Sequence, residues 1–255
     1  MKTLAKQVAK VVQVAKNRDT KQVINDLMQM LCNLLTEPLF IDKAFPLTLY
    51  TYDNNFRQEL TYYKTDLKAW AELQTLANMF MEAIKTGEPF TDHVGSLYDL
   101  ELAGNRHGQF LTPPDLADAL GELLISIAPP IDGPITIGDP TGCGAGTLVL
   151  SQIKAIYKAQ GAKAVKCLNV RAIDLDINMV KMTAVQVVLN SAIHRIPLGS
   201  FIVQCGNTIT DYTAMNEGKL VSYFWEPDVP VLKYIEATRG SKTPATTETK
   251  EKETV

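Results

Sequence analysis

Residues 134–160 read PITIGDPTGCGAGTLVLSQIKAIYKAQ, and they decide the fold class. A short β-branched run ends at Asp139, glycines follow at alternate positions 142, 144 and 146, and a helical apolar pattern begins at Thr147. A glycine loop between a strand and a helix lets backbone approach a ligand closely. A phosphate-binding P-loop needs GxxxxGK followed by Ser or Thr, but no lysine appears here before Lys154. A dinucleotide fingerprint needs GxGxxG, and the spacing here is GxGxG. The Asp139 carboxylate would also repel a pyrophosphate at the helix N-terminus. It suits a ligand carrying an ammonium or a sulfonium. S-adenosylmethionine carries both, with a carboxylate of its own to face the helix N-terminus. For the glycines alone, a tight structural turn is the competing reading.

The same alternation continues downstream. KCLNVRAIDLD (166–176) reads as a strand, NMVKMTAVQVVLNSAI (178–193) as a helix and GSFIVQCGNT (199–208) as a third strand. Strands separated by helices of this length predict βαβ units, an α/β fold and a parallel sheet covered on both faces. Ligands bind at the carboxyl edge of such sheets. Asp174 ends the second strand there and can accept from ribose hydroxyls, while Asp176 reads as the cap of the next helix. Asn207, after the third strand, offers an amide to an adenine edge or an oxygen to its own turn.

Upstream, residues 1–36 have helical spacing, with Lys2, Lys6 and Lys10 on one solvated face. Residues 40–64 predict a small hairpin around Asp53-Asn54-Asn55, and residues 65–86 a helix. From Pro114 another helix places Leu116, Ala119, Leu120, Leu123 and Leu124 on one face, with Thr112 as its expected N-cap. The domain reading is therefore a mainly helical extension over 1–90 and an α/β domain over 91–235. EATRGSKTPATTETKEKETV (236–255) is too poor in apolar residues to order itself and reads as a disordered tail.

Composition narrows the classes further. The chain has 255 residues, a net charge of −3, four well-separated cysteines and three histidines. No CxxC pair, zinc cluster or disulfide framework can be built from them, so no metal is expected and the thiols read as reduced and cytoplasmic. The acidic balance argues against indiscriminate nucleic-acid binding but leaves room for a local basic groove.

Taken in order, GQFLTPPDLADAL (108–120), IGDPTGCGAGTL (137–148), AIDLDINMVKMTAVQVVLN (172–190) and CGNTI (205–209) resemble the DNA adenine amino-methyltransferases. The nearest branch contains the modification subunits of type I restriction systems and their phage or plasmid relatives. The similarity spans roughly 92–210, and DHVGSLYDLELAGNRHGQF (92–110) resembles that family's lead-in. It implies a Rossmann-like fold that binds S-adenosylmethionine, acts on DNA, and works beside a separate specificity or restriction–modification subunit. It also implies that Phe110, Thr112 and Pro113 line the methionine end. Asp139, Pro140, Gly142, Gly144 and Gly146 would hold the methionine moiety, Asp174 the ribose and Asn207 the adenine.

The family's catalytic motif does not follow. That motif is Asn, Asp or Ser, then Pro-Pro and an aromatic ring; it accepts from the amine of a flipped adenine and stacks on the base. Pro113-Pro114 and Pro129-Pro130 both precede the glycine loop, and neither is followed by an aromatic residue. KLVSYFWEPDVPV (219–231) holds the nearest substitute, with Trp225 to stack and Glu226 or Asp228 to accept; a strand end with a proline turn is the competing reading. Two functions stay open: an adenine methyltransferase, and a non-catalytic S-adenosylmethionine-binding or decoy module that modulates restriction–modification or binds DNA. A dehydrogenase-like binder is disfavoured by the glycine spacing and Asp139.

Overall fold

The structure is a computed structural model. It describes residues 2–37, 40, 43–46, 48–95, 97, 111–210 and 219–225, with the side chain of Lys219 excepted. The N-terminal part consists of α1 (Lys2–Val14), α2 (Thr20–Leu35), β1 (Leu49–Tyr52), a 3-10 turn (Thr61–Lys64) and α3 (Leu67–Thr86). There follow α4 (Pro114–Ile127), β2 (Ile135–Asp139), α5 (Thr147–Lys166), β3 (Leu168–Asp174), α6 (Ile177–His194), β4 (Ser200–Cys205) and β5 (Lys219–Phe224).

Local chemistry starts these helices. Asp19 and Gln22 form a capping box on α2: the Asp19 carboxylate accepts from the Gln22 N–H at 2.8 Å, and the Gln22 side chain accepts from the Asp19 N–H at 2.9 Å. Asp66 caps α3 by accepting from Ala69 N–H. The expected cap of α4 differs. Pro113 occupies the N-cap position with no side-chain bond, and Pro114 takes the first turn, where its missing N–H costs nothing.

Among the described residues five strands run in the order β1-β5-β4-β3-β2. β2, β3 and β4 are mutually parallel, while β5 is antiparallel to both β4 and β1. The fold is thus α/β and Rossmann-like, with two successive βαβ units. The predicted hairpin over 40–64 does not form. β1 joins the main sheet beside β5, and the chain then turns at Asp53, whose carboxylate accepts from Asn55 N–H, before the 3-10 turn. The residues before 90 therefore contribute a strand to the sheet as well as helices.

Both crossovers progress in one direction across the sheet, which puts α5 and α6 on one face, and these helices touch. Leu168, Val170 and Ala172 point to that face and are buried. On the opposite face of β2 and β3, Thr136 and Arg171 are exposed and Asn169 is half-buried. Along the same face Ile173 of β3, Ser200, Ile202 and Gln204 of β4 and Ser222 of β5 are buried, so the expected cover on both faces is present there, and the exposed positions are confined to the β2 end. α6 is buried almost all round, because α2 and α3 pack on the side that the sheet leaves.

Candidate functional site

The three loop glycines all adopt positive φ: 136° at Gly142, 53° at Gly144 and 93° at Gly146. Two of these positions are also closed to larger residues. A Cβ on Gly144 would lie 3.1 Å from Leu111 Cδ2, and one on Gly146 would lie 3.0 Å from Thr183 Oγ1. The loop is held from below by α6. The Thr183 hydroxyl donates to the Gly144 carbonyl at 2.9 Å, and Gln186 Nε2 donates to the Ala145 carbonyl at 2.8 Å. Cys143 N–H is tied to the Ile173 carbonyl of β3 at 2.8 Å. With these groups anchored, the open N-terminus of α5 faces the carboxyl edge of the sheet.

The acidic side chains share that edge. Asp139 is 6% exposed, and its Oδ1 accepts from both the N–H (3.0 Å) and the hydroxyl (2.8 Å) of Thr141. Asp174 bridges two loops: Oδ2 accepts from Gly144 N–H and Oδ1 from Asp176 N–H, each at 2.9 Å. A carboxylate has about four lone-pair directions, so two such bonds leave capacity for a diol. Asp176 caps α6 by accepting from Asn178 N–H at 2.8 Å. Asp139 and Asp174 flank the loop, and no lysine, arginine or histidine occurs between residues 111 and 153 of the sequence.

The structure therefore brings Asp139, Gly142, Gly144, Gly146 and Asp174 together on two neighbouring strand ends. Pro140, exposed, leads into the loop from Asp139. Thr112 and Pro113 follow Leu111, whose side chain lies 3.1 Å from where a Gly144 Cβ would be, and lead into α4. Asn207 follows β4 on the same edge, but its side-chain oxygen accepts from Ile209 N–H (2.9 Å) and Thr210 N–H (3.4 Å), which is the turn arrangement. Phe110, Glu226 and Asp228 lie outside the described residues.

Trp225 is not where a stacking ring is needed. It is 2% exposed and packs against Phe45 and Tyr223, with ring centroids 6.4 and 5.7 Å away. Because β5 is antiparallel to β4, with Phe224 opposite Ser200, Trp225 sits at the amino edge of the sheet. The glycine loop is at the other edge. The ring belongs to the core, and the reading of Trp225 as a catalytic residue is corrected accordingly.

Several residues at the site escaped the sequence reading. Leu175 and Ile209, after β3 and β4, are 74% and 89% exposed and offer apolar surface at the carboxyl edge. The signal was an aliphatic residue between two aspartates and another behind a turn asparagine. Beneath the loop lies a buried polar network. Asp92 accepts from the Thr147 hydroxyl at 2.6 Å and from Gln186 Nε2 at 2.8 Å. Gln186 in turn accepts from the N–H groups of His93 and Val94. Asn190 accepts from Phe90 N–H at 2.8 Å. These bonds fix the 90–95 segment against α6 and the start of α5; in the sequence Gln186 and Asn190 read only as polar interruptions of an apolar helix.

Cys143, the thiol in the loop, is buried. Burial pushes the Cys143 thiol up to about 12, with Asp174 and Asp139 adding to the effect against a hydrogen bond from Thr183. Burial and the charges of Asp174 and Asp176 also raise Cys205. Among the described residues no group of three or more His, Cys, Asp or Glu could hold a metal ion. No described helix is long and apolar enough to cross a membrane.

No protein-family model matches the chain, and no curated protein matches it. Among solved structures, the chain is similar to a Listeria monocytogenes protein described as a candidate class I S-adenosylmethionine-dependent methyltransferase. The match has 16% identity and a TM-score of 0.38, covers 74% of this chain and spans 54% of the length of that protein.

Proposed function

We propose that this chain binds S-adenosylmethionine at the carboxyl edge of its sheet and belongs to a methyltransferase acting on the exocyclic amine of adenine in DNA. One observation carries the cofactor reading: the positive-φ glycine loop after β2 is joined to the acidic end of β3 by the Gly144 N–H bond to Asp174. The cradle fits the ligand's chemistry. Asp139 faces an ammonium or sulfonium, Asp174 retains acceptor capacity for a ribose, and the α5 N-terminus suits a carboxylate. Leu175 and Ile209 are placed to flank a flat heterocycle. The bound cofactor would supply a methyl group already activated on sulfur. The DNA substrate, and a separate specificity or restriction–modification partner, rest on the ordered motifs alone.

Calorimetry with S-adenosylmethionine tests the first half. Asp174→Ala should weaken binding by about 1–3 kcal/mol, the range for losing hydrogen bonds to a charged group. Parent-like affinity in that variant would remove the ribose assignment. Incubation with mixed-sequence DNA and methyl-labelled cofactor, followed by a search for methyladenine, tests the second half. The burial of Trp225 at the far edge favours a second reading, a non-catalytic binding module; cofactor binding without transfer in every preparation would select it.

A further inference from the structure

We infer that Gln186 is a positioning residue whose amide couples the 90–95 segment to the glycine loop, so that docking of that segment and cofactor affinity rise and fall together. The cofactor half of this rests on the functional reading above; the coupling itself does not. Gln186 is 0% exposed on α6. Its Oε1 accepts from the N–H groups of His93 (2.8 Å) and Val94 (3.0 Å). Its Nε2 donates to Asp92 Oδ1 and to the Ala145 carbonyl, each at 2.8 Å. A primary amide offers two N–H donors and two lone pairs, and all four are used. Turned over, the same amide would set its NH₂ against two N–H groups and its oxygen against a carboxylate and a carbonyl. One orientation therefore serves the segment and the loop at once. If either side withdraws, part of a buried amide is left unpaired, which loosens its hold on the other.

On the loop side, Gln186 fixes the Ala145 carbonyl and Thr183 fixes that of Gly144. A planar trans peptide points its N–H opposite its carbonyl, so these two bonds aim the N–H groups of Ala145 and Gly146. Both stand directly before α5, whose first residue, Thr147, gives its hydroxyl to Asp92 Oδ2 at 2.6 Å.

On the segment side, Asp92 Oδ1 also accepts from Gly95 N–H at 2.7 Å, and a Cβ on Gly95 would collide with Asp92 Oδ2. Only glycine fits that turn. Phe90 has φ 61°, a left-handed conformation rare for a bulky residue. Asn190, one turn beyond Gln186 on α6, holds it there by accepting from Phe90 N–H at 2.8 Å. Backbone strain of this kind persists only where the surroundings impose it. Release of the segment relieves the strain, and docking on α6 opposes it. The loop shares the bonds that decide between the two. Two sites that bias one such element are linked reciprocally.

Hydrogen exchange on the full chain, followed amide by amide by NMR, tests the coupling, with calorimetry on the same samples. Saturating S-adenosylmethionine should slow exchange of the His93 and Val94 N–H groups by about 10-fold, within the range of coupling between two sites. Gln186→Leu, which keeps bulk but no hydrogen bond, should weaken cofactor binding by a similar factor and abolish that slowing. Gly95→Ala acts from the segment alone and covers the case in which Gln186→Leu does not fold. Without any cofactor present it should quicken exchange of the Gly144 and Gly146 N–H groups by about 10-fold, and it should weaken cofactor binding to match. Val11→Ala, in the buried face of α1, is the control for a merely structural loss. It should lower thermal stability and leave cofactor affinity, and the cofactor's effect on His93 and Val94, unchanged. Equal effects from Val11→Ala, or parent-like affinity in both Gln186→Leu and Gly95→Ala, would overturn the proposal. The two readings fail separately. If the parent binds no S-adenosylmethionine while Gly95→Ala still quickens the loop, the functional reading falls and the coupling stands. If the parent binds it and Gly95→Ala leaves loop exchange unchanged, the coupling alone falls.

Discussion

Two helices of similar apolar content meet opposite fates. In α6 the residues from Met179 to Ala192 are buried, whereas α4 buries only Ala117 and Gly121 and exposes four leucines. The sequence pattern tells that each helix has apolar surface to cover. What covers it is a matter of topology. α6 lies between the buried part of the sheet and the N-terminal helices, while α4 lies beside β2, the last strand among the described residues.

The sharpest way to break this comparison is to truncate one leucine in each helix. Leu189 in α6 is 0% exposed and should cost about 2–5 kcal/mol when changed to Ala, from lost transfer energy and the cavity left behind. Leu123 in α4 is 60% exposed, and Leu123→Ala should change stability by no more than about 0.5 kcal/mol in the isolated chain. Urea denaturation of both variants measures the difference. A loss of several kcal/mol at Leu123 would mean that the α4 face is already covered.

A smaller effect is expected in the loop that α6 supports. Gly144→Ala places a Cβ at φ 53° and 3.1 Å from Leu111, which should cost roughly 1–2 kcal/mol of stability. Thermal melts give the cost, and calorimetry should show weaker S-adenosylmethionine binding in the same variant. An unchanged melting temperature would indicate that the loop relaxes away from Leu111, and that the glycine is kept for the ligand alone. Capping residues sit lower on the scale. Asp176→Ala should cost about 0.5–2 kcal/mol by releasing the Asn178 N–H at the start of α6.

Much of this is legible in the sequence. The glycine loop, the acid ending the next strand and the alternation of strands with helices depend on local backbone demands and period, and these are written in neighbouring residues. The Asp176 cap and the Asn207 turn were readable for the same reason. What failed was non-local. Trp225 looks catalytic in sequence because it stands near acidic residues and a proline, but the direction of β5 sends it to the wrong edge. β1 reads as half of a hairpin in the sequence because its partner lies some 170 positions away, across the Thr51–Ser222 hydroxyl contact. The Asp92–Gln186 network joins segments 94 residues apart, and no periodicity encodes it.

The least of the expected effects is one of pH, and it separates the buried thiols near α6 from those nearer solvent. Burial raises the Cys143 thiol from its ordinary 9.0 to about 12, and raises Cys32 as well, the latter opposed by the nearby Lys181 charge. In each case the folded value lies above the unfolded one. The contribution to stability is therefore complete below about pH 9 and declines as pH rises toward the folded value, because only the unfolded chain releases those protons. Buried Tyr223 is raised from 10.0 and adds loss in the same direction, while Lys181, lowered from 10.5 by burial, opposes it. The total slope thus mixes several groups, and the informative quantity is a difference. Unfolding free energy of the parent minus that of Cys143→Ala should be flat from about pH 7 to 8 and shrink above about pH 9. Alkylation by iodoacetamide gives an independent readout: at neutral pH, half-buried Cys167 should react well before Cys143 or Cys32. A difference that stays flat to about pH 10.5, or rapid neutral labelling of Cys143, would mean that the loop opens often enough to hydrate its thiol, and that its grip on α6 is looser than the Thr183 and Gln186 bonds imply.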